Sequence, residues 1–461
     1  MKRTNPIDGQ PKPKPFRIHD GTEITQDLIN KFITKHQALI ARYNYLVDMY
    51  KNVTEVFDLP EKEAHKPDNR LSVNYAKYIV DTFVGYFNGI PIKKSHKDDV
   101  TNELLQLFDS SNDIEDEENE LARLACIYGH CFEIIYQNIT AQTKAIYVDP
   151  TECFMVYDTT KEMNPLFAVY YVADEEGEVT GTLYTKTEEI DLKGTIGEVV
   201  FAEKAINVFK DVPVVEYMLN DDRLGLFEGV ASLINAMNKA ISEKANDVDY
   251  FADAYLAVIG AELDEKSVKA IRDNRVINVY GLNGEKVDVR FLDKPNSDDT
   301  QEHLLNRLHK LIFQVSMVAD ISDENFGAVS GVALEHKYQA MNNLAHSFDR
   351  KFQAGLRRRY QLVFSLPVNM PENKAGMYRE IEYTFKRNMP IDHLSQAQAA
   401  VATSNLTSLK TALKVLDIVE DVDAELIRID EEREKNMEYG FSYNDSEAKE
   451  NDREDNEEEV I

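Results

Sequence analysis

Apolar residues recur every three, four or seven positions along several stretches of the chain, which is the spacing of one face of an α-helix. The first stretch follows Thr25, and its apolar positions are Leu28, Phe32, Leu39, Tyr43, Leu46 and Tyr50. The same spacing predicts helices over residues 73–87 and from about 114 to 128, the second of which opens in an acidic first turn. A proline and a glutamate behind a capping aspartate predict one more helix start at residues 58–61.

Residues 132–220 lack this spacing and are expected to form mostly strands. Two β-rich runs flank an acidic, glycine-containing turn in LFAVYYVADEEGEVTGTLYTK, a pattern typical of a β-hairpin. The segments EVVFAEKAINVF and VPVVEYML predict further strands.

Helical spacing returns after Arg223 in two stripes separated by a compact piece. The first stripe consists of Val230, Ile234, Met237, Ile241, Ala245, Val248, Ala252, Tyr255 and Ile259. The second consists of Leu304, Leu308, Leu311, Val315 and Val318. Between them, VINVYGLNGEKVDVRFL predicts a hairpin that turns at Asn283 and Gly284.

The longest stripe follows a break at residues 322–331. It consists of Leu334, Tyr338, Met341, Ala345, Phe348, Phe352, Leu356, Tyr360 and Val363. At about 1.5 Å per residue, this helix would span roughly 45 Å, which is long for one globular domain and suits an elongated subunit packed against copies of itself. A strand over YREIEYTFK and short helices across 393–438 are expected to follow.

The composition restricts the class of protein. A chain of 461 residues exceeds what one compact core usually holds, so two or more modules are expected. Lys and Arg number 52 against 82 Asp and Glu, and the net charge of −30 argues against tight binding of duplex nucleic acid. A conduit for DNA remains possible, since a wall that repels phosphate lets the polymer slide.

Both ends of the chain are expected to be flexible. Residues 1–20 combine prolines with basic residues and lack the apolar run of a secretory signal. The block Asp445–Glu459 has nine acidic and two basic residues and repels itself, so residues 439–461 are expected to be disordered. No run of about eighteen apolar residues predicts a membrane span, and with three cysteines we expect a soluble intracellular protein.

Candidate catalytic and zinc-binding groups are few. Ser330 in GAVSG suggests a hydrolase nucleophile, but the order is G-x-x-S-G rather than G-x-S-x-G, so a serine at a helix start is favoured. A zinc set of Cys126, His130, Cys131 and Cys153 is conceivable. Its spacing does not match paired zinc ligands, so buried free thiols are favoured.

Three other polar groups have ordinary interpretations. His303 and His309 lie on different sides of a predicted helix, and we interpret both as surface or core residues of it. The carboxylates of residues 113–120 could bind a divalent ion, but a solvated helix start is favoured. The arginines of 357–359 point about 100° apart on a helix, so they pair with carboxylates of another subunit or form a solvated face.

Several segments, in order along the chain, resemble the portal proteins of tailed bacteriophages with long, flexible, non-contractile tails. NRLSVNYAKYIVDTFVGYFNGIPI and ELARLACIYGHCFEIIY are similar to the family's early segments, and YVDPTECFMVYDTT with LFAVYYV to its wing strands. The strongest match is DISDENFGAVSGVALEHKYQAMNNLA, which resembles the tunnel loop and the start of the helix behind it. FKRNMPID and TSLKTALKVLDIVEDVDAELIRIDEEREK resemble the closing strand and the crown helices, so the resemblance covers about residues 60–435.

The resemblance implies an α+β, predominantly helical fold in an elongated, portal-type subunit. Its parts would be the wing at 21–225, the stem helices at 226–260 and 296–318, the clip with its hairpin at 261–295, the tunnel loop at 319–332, the long wing helix and closing strand at 333–392 and the crown helices at 393–438.

The resemblance also implies a function: a homo-oligomeric ring, dodecameric in the virion, at one capsid vertex. Double-stranded DNA would pass through its channel during packaging and ejection. The terminase large subunit, scaffolding and major capsid proteins and a head-completion or adaptor protein would be its partners, after assembly in the host bacterial cytoplasm. No enzyme activity, cofactor, metal or membrane is expected. An unrelated intracellular helical scaffold and a serine hydrolase remain the alternatives.

The candidate functional element is the tunnel loop. Its residues are Asp320, Ser322, Asp323, Glu324, Asn325, Phe326, Gly327, Ser330 and Gly331. Phe326 is either a local plug on the neighbouring helices or, as the family implies, part of a ring of loops that touches DNA. Asp320, Asp323 and Glu324 would make that constriction acidic, so phosphates would be repelled rather than held.

Overall fold

The computed structural model describes residues 12–63, 66–252, 256–259, 288–291, 298–321, 331–389, 393–404, 406–414, 416, 418–419, 422 and 424–435. The chain divides into two units. The first comprises the described residues of Met1–Asp323 and Lys337–Asn388, and the second those of Glu324–His336 and Met389–Ile461. The chain combines long helices with two large sheets, which confirms the α+β fold class.

Two helices open the first unit where the apolar spacing predicted them. Helix α1 (Gln26–Tyr50) begins after Thr25, whose hydroxyl accepts a hydrogen bond from the Leu28 amide at 3.3 Å. Helix α2 (Tyr75–Asn88) is capped in the same way by Asn74 and ends at Gly89. Both bury the apolar faces that predicted them.

The helix predicted to start at residues 58–61 is wrong. Residues 55–58 form turns, and residues 60–63 and 67–74 belong to neither helix nor strand. The capping signals are present, but the positions behind them are nearly all polar and include Pro67. A helix there would have no apolar face to bury, and capping without burial does not stabilise a short helix.

The strand-rich region forms two sheets, as expected. The larger has the order β1-β5-β6-β7-β8-β9. Its strands are β1 (Phe16–Ile18), β5 (Cys153–Asp158), β6 (Pro165–Ala173), β7 (Glu178–Thr185), β8 (Glu188–Thr195) and β9 (Glu198–Ile206). Strands β5 to β9 form an antiparallel meander, and the predicted hairpin joins β6 to β7. Helix α1 packs on this sheet through Ile29, Phe32 and Ile33.

The smaller sheet has the order β10-β3-β4, from β3 (His130–Gln137), β4 (Thr143–Val148) and β10 (Val214–Met218). Helices α3 (Asp99–Ser111) and α4 (Ile114–Tyr128) precede it in the chain. Helix α4 ends at Gly129 and leads directly into β3, so the interior face of α4 and the buried residues of β3 belong to one core.

The N-terminal arm is partly built into the fold, which corrects the expectation of a flexible segment through residue 20. Strand β1 pairs in parallel with β5. The Phe16 ring lies 5.4 Å from that of Phe32 and 5.6 Å from that of Phe154. The alternation of Phe16 and Ile18 around Arg17 is a strand signal that the neighbouring prolines concealed. Residues 1–11 lie outside the described part.

The two helical stripes after Arg223 form a helix pair beside a short sheet. The helices are α5 (Ala231–Ala252) and α6 (Asp298–Ser316). Strand β11 (Leu256–Ile259) pairs antiparallel with β12 (Asp288–Phe291). The expectation that the first stripe stays helical through Ile259 is therefore wrong at its end, where LAVI has a strand partner and favours β structure. The predicted turn at Asn283 and Gly284 lies outside the described residues.

Helix α7 (Gly331–Phe364) has 34 residues and confirms the longest predicted helix. Its stripe is buried from Tyr338 to Val363. A 3-10 segment (Glu372–Glu380) then leads to strand β13 (Glu382–Thr384), which pairs antiparallel with β2 (Lys93–Ser95). The strand predicted over YREIEYTFK is thus confirmed only for its central residues, since Tyr378 to Glu380 belong to the 3-10 segment.

The second unit contains short helices, as expected for residues 393–438. They are α8 (His393–Ser404), α9 (Leu409–Leu413) and a helical stretch over 424–435. Val401, Leu406, Ile418 and Ile427 are all more than 60% exposed. The described residues of this unit, in its helices and between them, thus leave apolar side chains exposed.

Gly129, at the end of α4, and Gly177, between β6 and β7, both have a left-handed backbone, but only Gly129 is closely packed. Gly129 has φ +90°, and a Cβ there would lie 2.3 Å from the Arg223 carbonyl carbon. Gly177 has φ +84°, but a Cβ would meet nothing within 4 Å. Gly129→Ala is expected to lower the free energy of unfolding by about 2–4 kcal/mol, because the clash adds to backbone strain. Chemical denaturation measures this.

Gly177→Ala is the matched control and should cost only the backbone strain, about 1–2 kcal/mol. Equal losses for the two variants would contradict the close approach at Gly129.

Candidate functional site

The predicted tunnel loop connects α6 to α7. Asp320 and Ile321 are its last described residues before the gap, and Gly331 is the first residue of α7. The other candidate positions lie outside the described residues; they are Ser322, Asp323, Glu324, Asn325, Phe326, Gly327 and Ser330. What the structure does describe is how the loop starts.

The first residues of the loop are attached to α2. The Asp320 Oδ2 lies 2.8 Å from His309 Nε2, and the Tyr75 hydroxyl lies 2.9 Å from His309 Nδ1. The Ile321 amide donates to the Tyr78 hydroxyl at 3.1 Å. Two tyrosines one helical turn apart on α2 thus hold the point where the chain leaves α6.

Aromatic packing reinforces this attachment. The Phe313 ring of α6 lies 5.9 Å from the Tyr75 ring, 5.5 Å from the Tyr78 ring and 5.0 Å from the His309 ring. Burial raises the pKa of Tyr75, and the Asp320 carboxylate raises it further, so the hydroxyl remains protonated. These contacts fix the first residues of the loop, Asp320 and Ile321, here named the loop root, against α6 and α2.

The partners of His309 are not predicted by the sequence, which indicates only a surface or core residue of a helix at this position. Nothing in the sequence links His309 to Tyr75, because the two residues are 234 positions apart. Only the packing of α2 against α6 brings them together.

A buried charge cluster holds α7. Arg359 is fully buried, and its Nε lies 2.8 Å and 3.0 Å from the two carboxylate oxygens of Glu133 on β3. Its Nη1 contacts Glu118 on α4. Lys94 on β2 lies 2.9 Å from Glu118 and 3.2 Å from Asp109 on α3. One cation on the long helix is thus paired with carboxylates from a helix and a strand.

Two sequence interpretations are corrected by this cluster. The arginines of 357–359 were expected to pair between subunits or to be solvated, yet Arg359 pairs within the chain and Arg358 lies 2.6 Å from Asp211. Arg357 alone is exposed. The carboxylates of residues 113–120 were expected to be solvated, but Glu118 is buried.

The buried cluster contains one more carboxylate than cations, and this imbalance affects the pKa of its members. Three carboxylates face two cations, and burial raises the pKa of Asp109 despite the charge of Lys94. Burial works against the charged form of Arg359, but the Glu133 and Glu118 charges outweigh it and raise the pKa of Arg359 well above its ordinary value. Tyr217 donates to Glu133 at 3.0 Å and Tyr360 to Asp109 at 2.6 Å. These hydrogen bonds and ion pairs join α3, α4, β2, β3, β10 and α7 into one buried structural network.

A second buried network lies where β3, β10 and α1 meet. Glu216 accepts hydrogen bonds from Arg223 at 2.6 Å and lies 2.8 Å from His130 Nδ1. Burial alone would raise the pKa of Glu216, but the Arg223 charge and the two hydrogen bonds lower it below its ordinary range. The other ring nitrogen of His130 lies 2.9 Å from the Tyr43 hydroxyl. Both ring nitrogens are engaged, so His130 has no nitrogen left for a substrate or a metal.

The three cysteines are buried and free, as favoured from their spacing. Burial raises the pKa of Cys126, Cys131 and Cys153, which keeps the thiols protonated. Within the described residues, no group of three or more His, Cys, Asp and Glu side chains could hold a metal ion. In the same part of the chain, no helix has the length and apolar character to cross a membrane.

Comparison with known proteins identifies a family of which this chain is a member. A family model described as phage portal protein, SPP1 Gp6-like, matches residues 29–439. The portal protein of Clostridium phage phiCD119 is 21% identical over 446 residues, which cover 90% of this chain and 97% of that protein. A solved structure, the neck of an empty GTA particle computed with C6 symmetry, aligns at 12% identity with a TM-score of 0.43, over 74% of this chain and 87% of that chain.

The buried cluster predicts a sharp difference between neighbouring arginines. Arg359→Ala would leave the buried Glu133 without its cation and Glu118 with Lys94 alone, and it should lower the free energy of unfolding by about 3–5 kcal/mol. Arg357→Ala is the matched control, because Arg357 lies on the same helix two positions earlier and is exposed. It should change the free energy of unfolding by less than about 0.5 kcal/mol. Urea denaturation measures the free energy of unfolding of both variants. Similar losses of stability in the two would refute the assigned role of Arg359.

Proposed function

The chain belongs to the SPP1 Gp6-like family of phage portal proteins, and from this premise we propose that it is the subunit of a homo-oligomeric ring at one capsid vertex. Double-stranded DNA passes through the ring during packaging and ejection, and the virion ring is a dodecamer. The observation that carries the proposal is the match of the family model to residues 29–439. Since this family is structural, the chain is not an enzyme, and the serine hydrolase alternative is set aside.

The proposed parts of the subunit follow the order of the elements. Helices α5 and α6 are the stem, in the segments 226–260 and 296–318, and residues 261–295 are the clip. The antiparallel pairing of β11 with β12 supports this division, because it brings the two ends of the intervening segment together. Residues 21–225 and 333–392 form the wing, and 393–438 the crown.

The tunnel loop, residues 319–332, is the proposed channel-facing element. Asp320 lies against His309, so its charge is engaged at the loop root. Repulsion of phosphate would therefore depend on Asp323 and Glu324. A constriction of the same sign as the DNA backbone lets the polymer move without being held.

The proposed partners are those a portal vertex requires. They are the terminase large subunit, scaffolding and major capsid proteins, and a head-completion or adaptor protein. The ring would be assembled in the host bacterial cytoplasm and retained in the virion.

Ring formation is tested on the purified full chain by negative-stain electron microscopy and sedimentation velocity. Closed rings with an axial hole are expected, because α6 and the short helices of the second unit leave apolar surface that a monomer does not cover. A compact monomer at all concentrations would contradict the proposal.

The proposed position of the loop in the channel is tested by a double variant with Asp323→Lys and Glu324→Lys. The variant gene replaces the portal gene of the phage. Rings should still form, but packaged DNA, measured as nuclease-protected genome, should fall at least about tenfold, because the constriction would now attract phosphate. The control is Glu175→Lys with Glu176→Lys, the same charge change at the exposed turn between β6 and β7. Normal packaging by the loop variant would show that this loop does not face the DNA.

A further inference from the structure

One side of α5 carries a polar ladder that fixes an extended segment against it. The Val73 amide donates to Asn238 at 2.9 Å, and the Leu71 amide donates to Ser242 at 2.9 Å. The Asn69 amide donates to Asn246 at 2.6 Å. The three helix positions are four residues apart and therefore share one face, so the segment 69–73 is held in a defined place.

The fixed segment forms an apolar patch with a preceding run. Thr54 bonds to Ser72 at 2.9 Å and Arg70 to the Phe57 carbonyl at 2.6 Å, which places the two runs side by side. The patch, here named the loop patch, consists of Val53, Phe57, Leu59, Leu71 and Val73, which are between 38% and 57% exposed. The exposed carboxylates Asp58 and Glu61 flank it, and the one guanidinium at its edge, Arg70, is ion-paired with Asp68 at 2.9 Å.

Helix α6 lies on the opposite side of α5. Gln301 bonds to Asp247 at 2.7 Å, and Lys244 forms an ion pair with Glu302. At about 100° per residue, Lys244 and Asp247 lie roughly 140–160° around α5 from the positions that hold the loop patch. The loop patch and α6 therefore form two different flanks of the same part of the molecule.

The outer surface of α6 has a second apolar patch with the opposite charge beside it. Leu304 and Val315 are 51% and 53% exposed, and with Leu311 they follow spacings of seven and four along one face. The exposed His303, Arg307 and Lys310 follow spacings of four and three along the adjacent face. Between His303 and Ser316 the helix carries no carboxylate. This surface is here named the α6 face.

We propose that the loop patch of one copy of this chain docks onto the α6 face of the next copy. Each flank is apolar at its centre, and the charges at the rims are complementary, acidic on one and basic on the other. Two different patches on different flanks make a heterologous contact, which repeats in one direction and generates a ring when the rotation between neighbouring copies closes. The inference rests on the proposed ring, and it goes further by naming which two surfaces meet. A ring could also form through other surfaces of the chain.

Two charge-reversed variants test the interface. Variant one carries Asp58→Lys and Glu61→Lys, and variant two carries Arg307→Glu and Lys310→Glu. Each variant alone brings like charges together at every contact, so the concentration for half-assembly should rise at least about tenfold. In a mixture, the basic loop patch of variant one faces the acidic α6 face of variant two, and the remaining contacts keep the original charges. The equimolar mixture should therefore recover assembly with alternating subunits.

Sedimentation velocity and electron microscopy follow assembly, and circular dichroism checks the fold of each variant. Glu175→Lys with Glu176→Lys is the charge-matched control and should assemble like the original chain. If both variants assemble normally while the original chain forms rings, the interface lies elsewhere and the ring stands. If neither assembles and mixing does not restore assembly, the pairing of these two surfaces is wrong. If the original chain forms no rings, the proposed function itself fails.

As a second measure, Leu304→Asn with Val315→Asn is added to variant two, which removes the apolar centre of the α6 face without changing its charge. Mixing this combined variant with variant one should not restore assembly, because every second contact of an alternating ring, between the loop patch of variant one and the altered α6 face, lacks its apolar centre. Recovery of assembly in that mixture would overturn the apolar part of the proposal.

Discussion

The pairing of Arg359 with Glu118 and Glu133 is the constraint on which the rest of the first unit depends. A fully buried guanidinium is tolerated only where carboxylates meet it, and these come from α4 and β3. A rotation or a shift of α7 by one turn would leave buried charges of both signs unpaired. The pairing therefore fixes the rotation of α7 about its axis. It also holds α7 against α4 and β3, the helix and the strand that meet at Gly129.

This setting extends to the loop root through aromatic packing. The Phe87 ring of α2 lies 4.5 Å from Phe348 on α7, and the other end of α2 carries Tyr75 and Tyr78. These two tyrosines contact His309 and Ile321. Helix α2 thus contacts α7 at one end and the start of the loop at the other. In the proposed ring, a fixed starting point would place the loops of all copies at equivalent positions.

The distribution of charge also bears on assembly. A net charge of −30 makes copies of the chain repel one another at long range. The proposed contact lies where this repulsion is locally weakened, since the middle of α6 has cations and no carboxylate. The surplus of acid elsewhere disfavours other modes of association. The same surplus would keep DNA from adhering to the protein.

Much of the fold followed from local patterns. The spacing of apolar residues located α1, α2, α4 and α7, and the segment order that resembles portal proteins agreed with the family match. Local patterns failed at residues 58–61, where caps lacked an apolar face, and at Leu256–Ile259, where a distant strand was available as a partner. They also failed at Phe16–Ile18, whose pairing with β5 depends on residues about 140 positions away.

By itself, the sequence determined where helices form and which of their faces are apolar, because these properties depend on residues within one or two turns. Only the tertiary structure decided which polar groups are buried. Arg357, Arg358 and Arg359 are identical in sequence, yet one is exposed, one is half-buried and one is enclosed by carboxylates. The root of the loop was likewise decided by packing, since His309 has Tyr75 and Asp320 as neighbours only after α2 and α6 meet. The cost of burying a charge depends on every element around it, and that environment exists only in the folded chain.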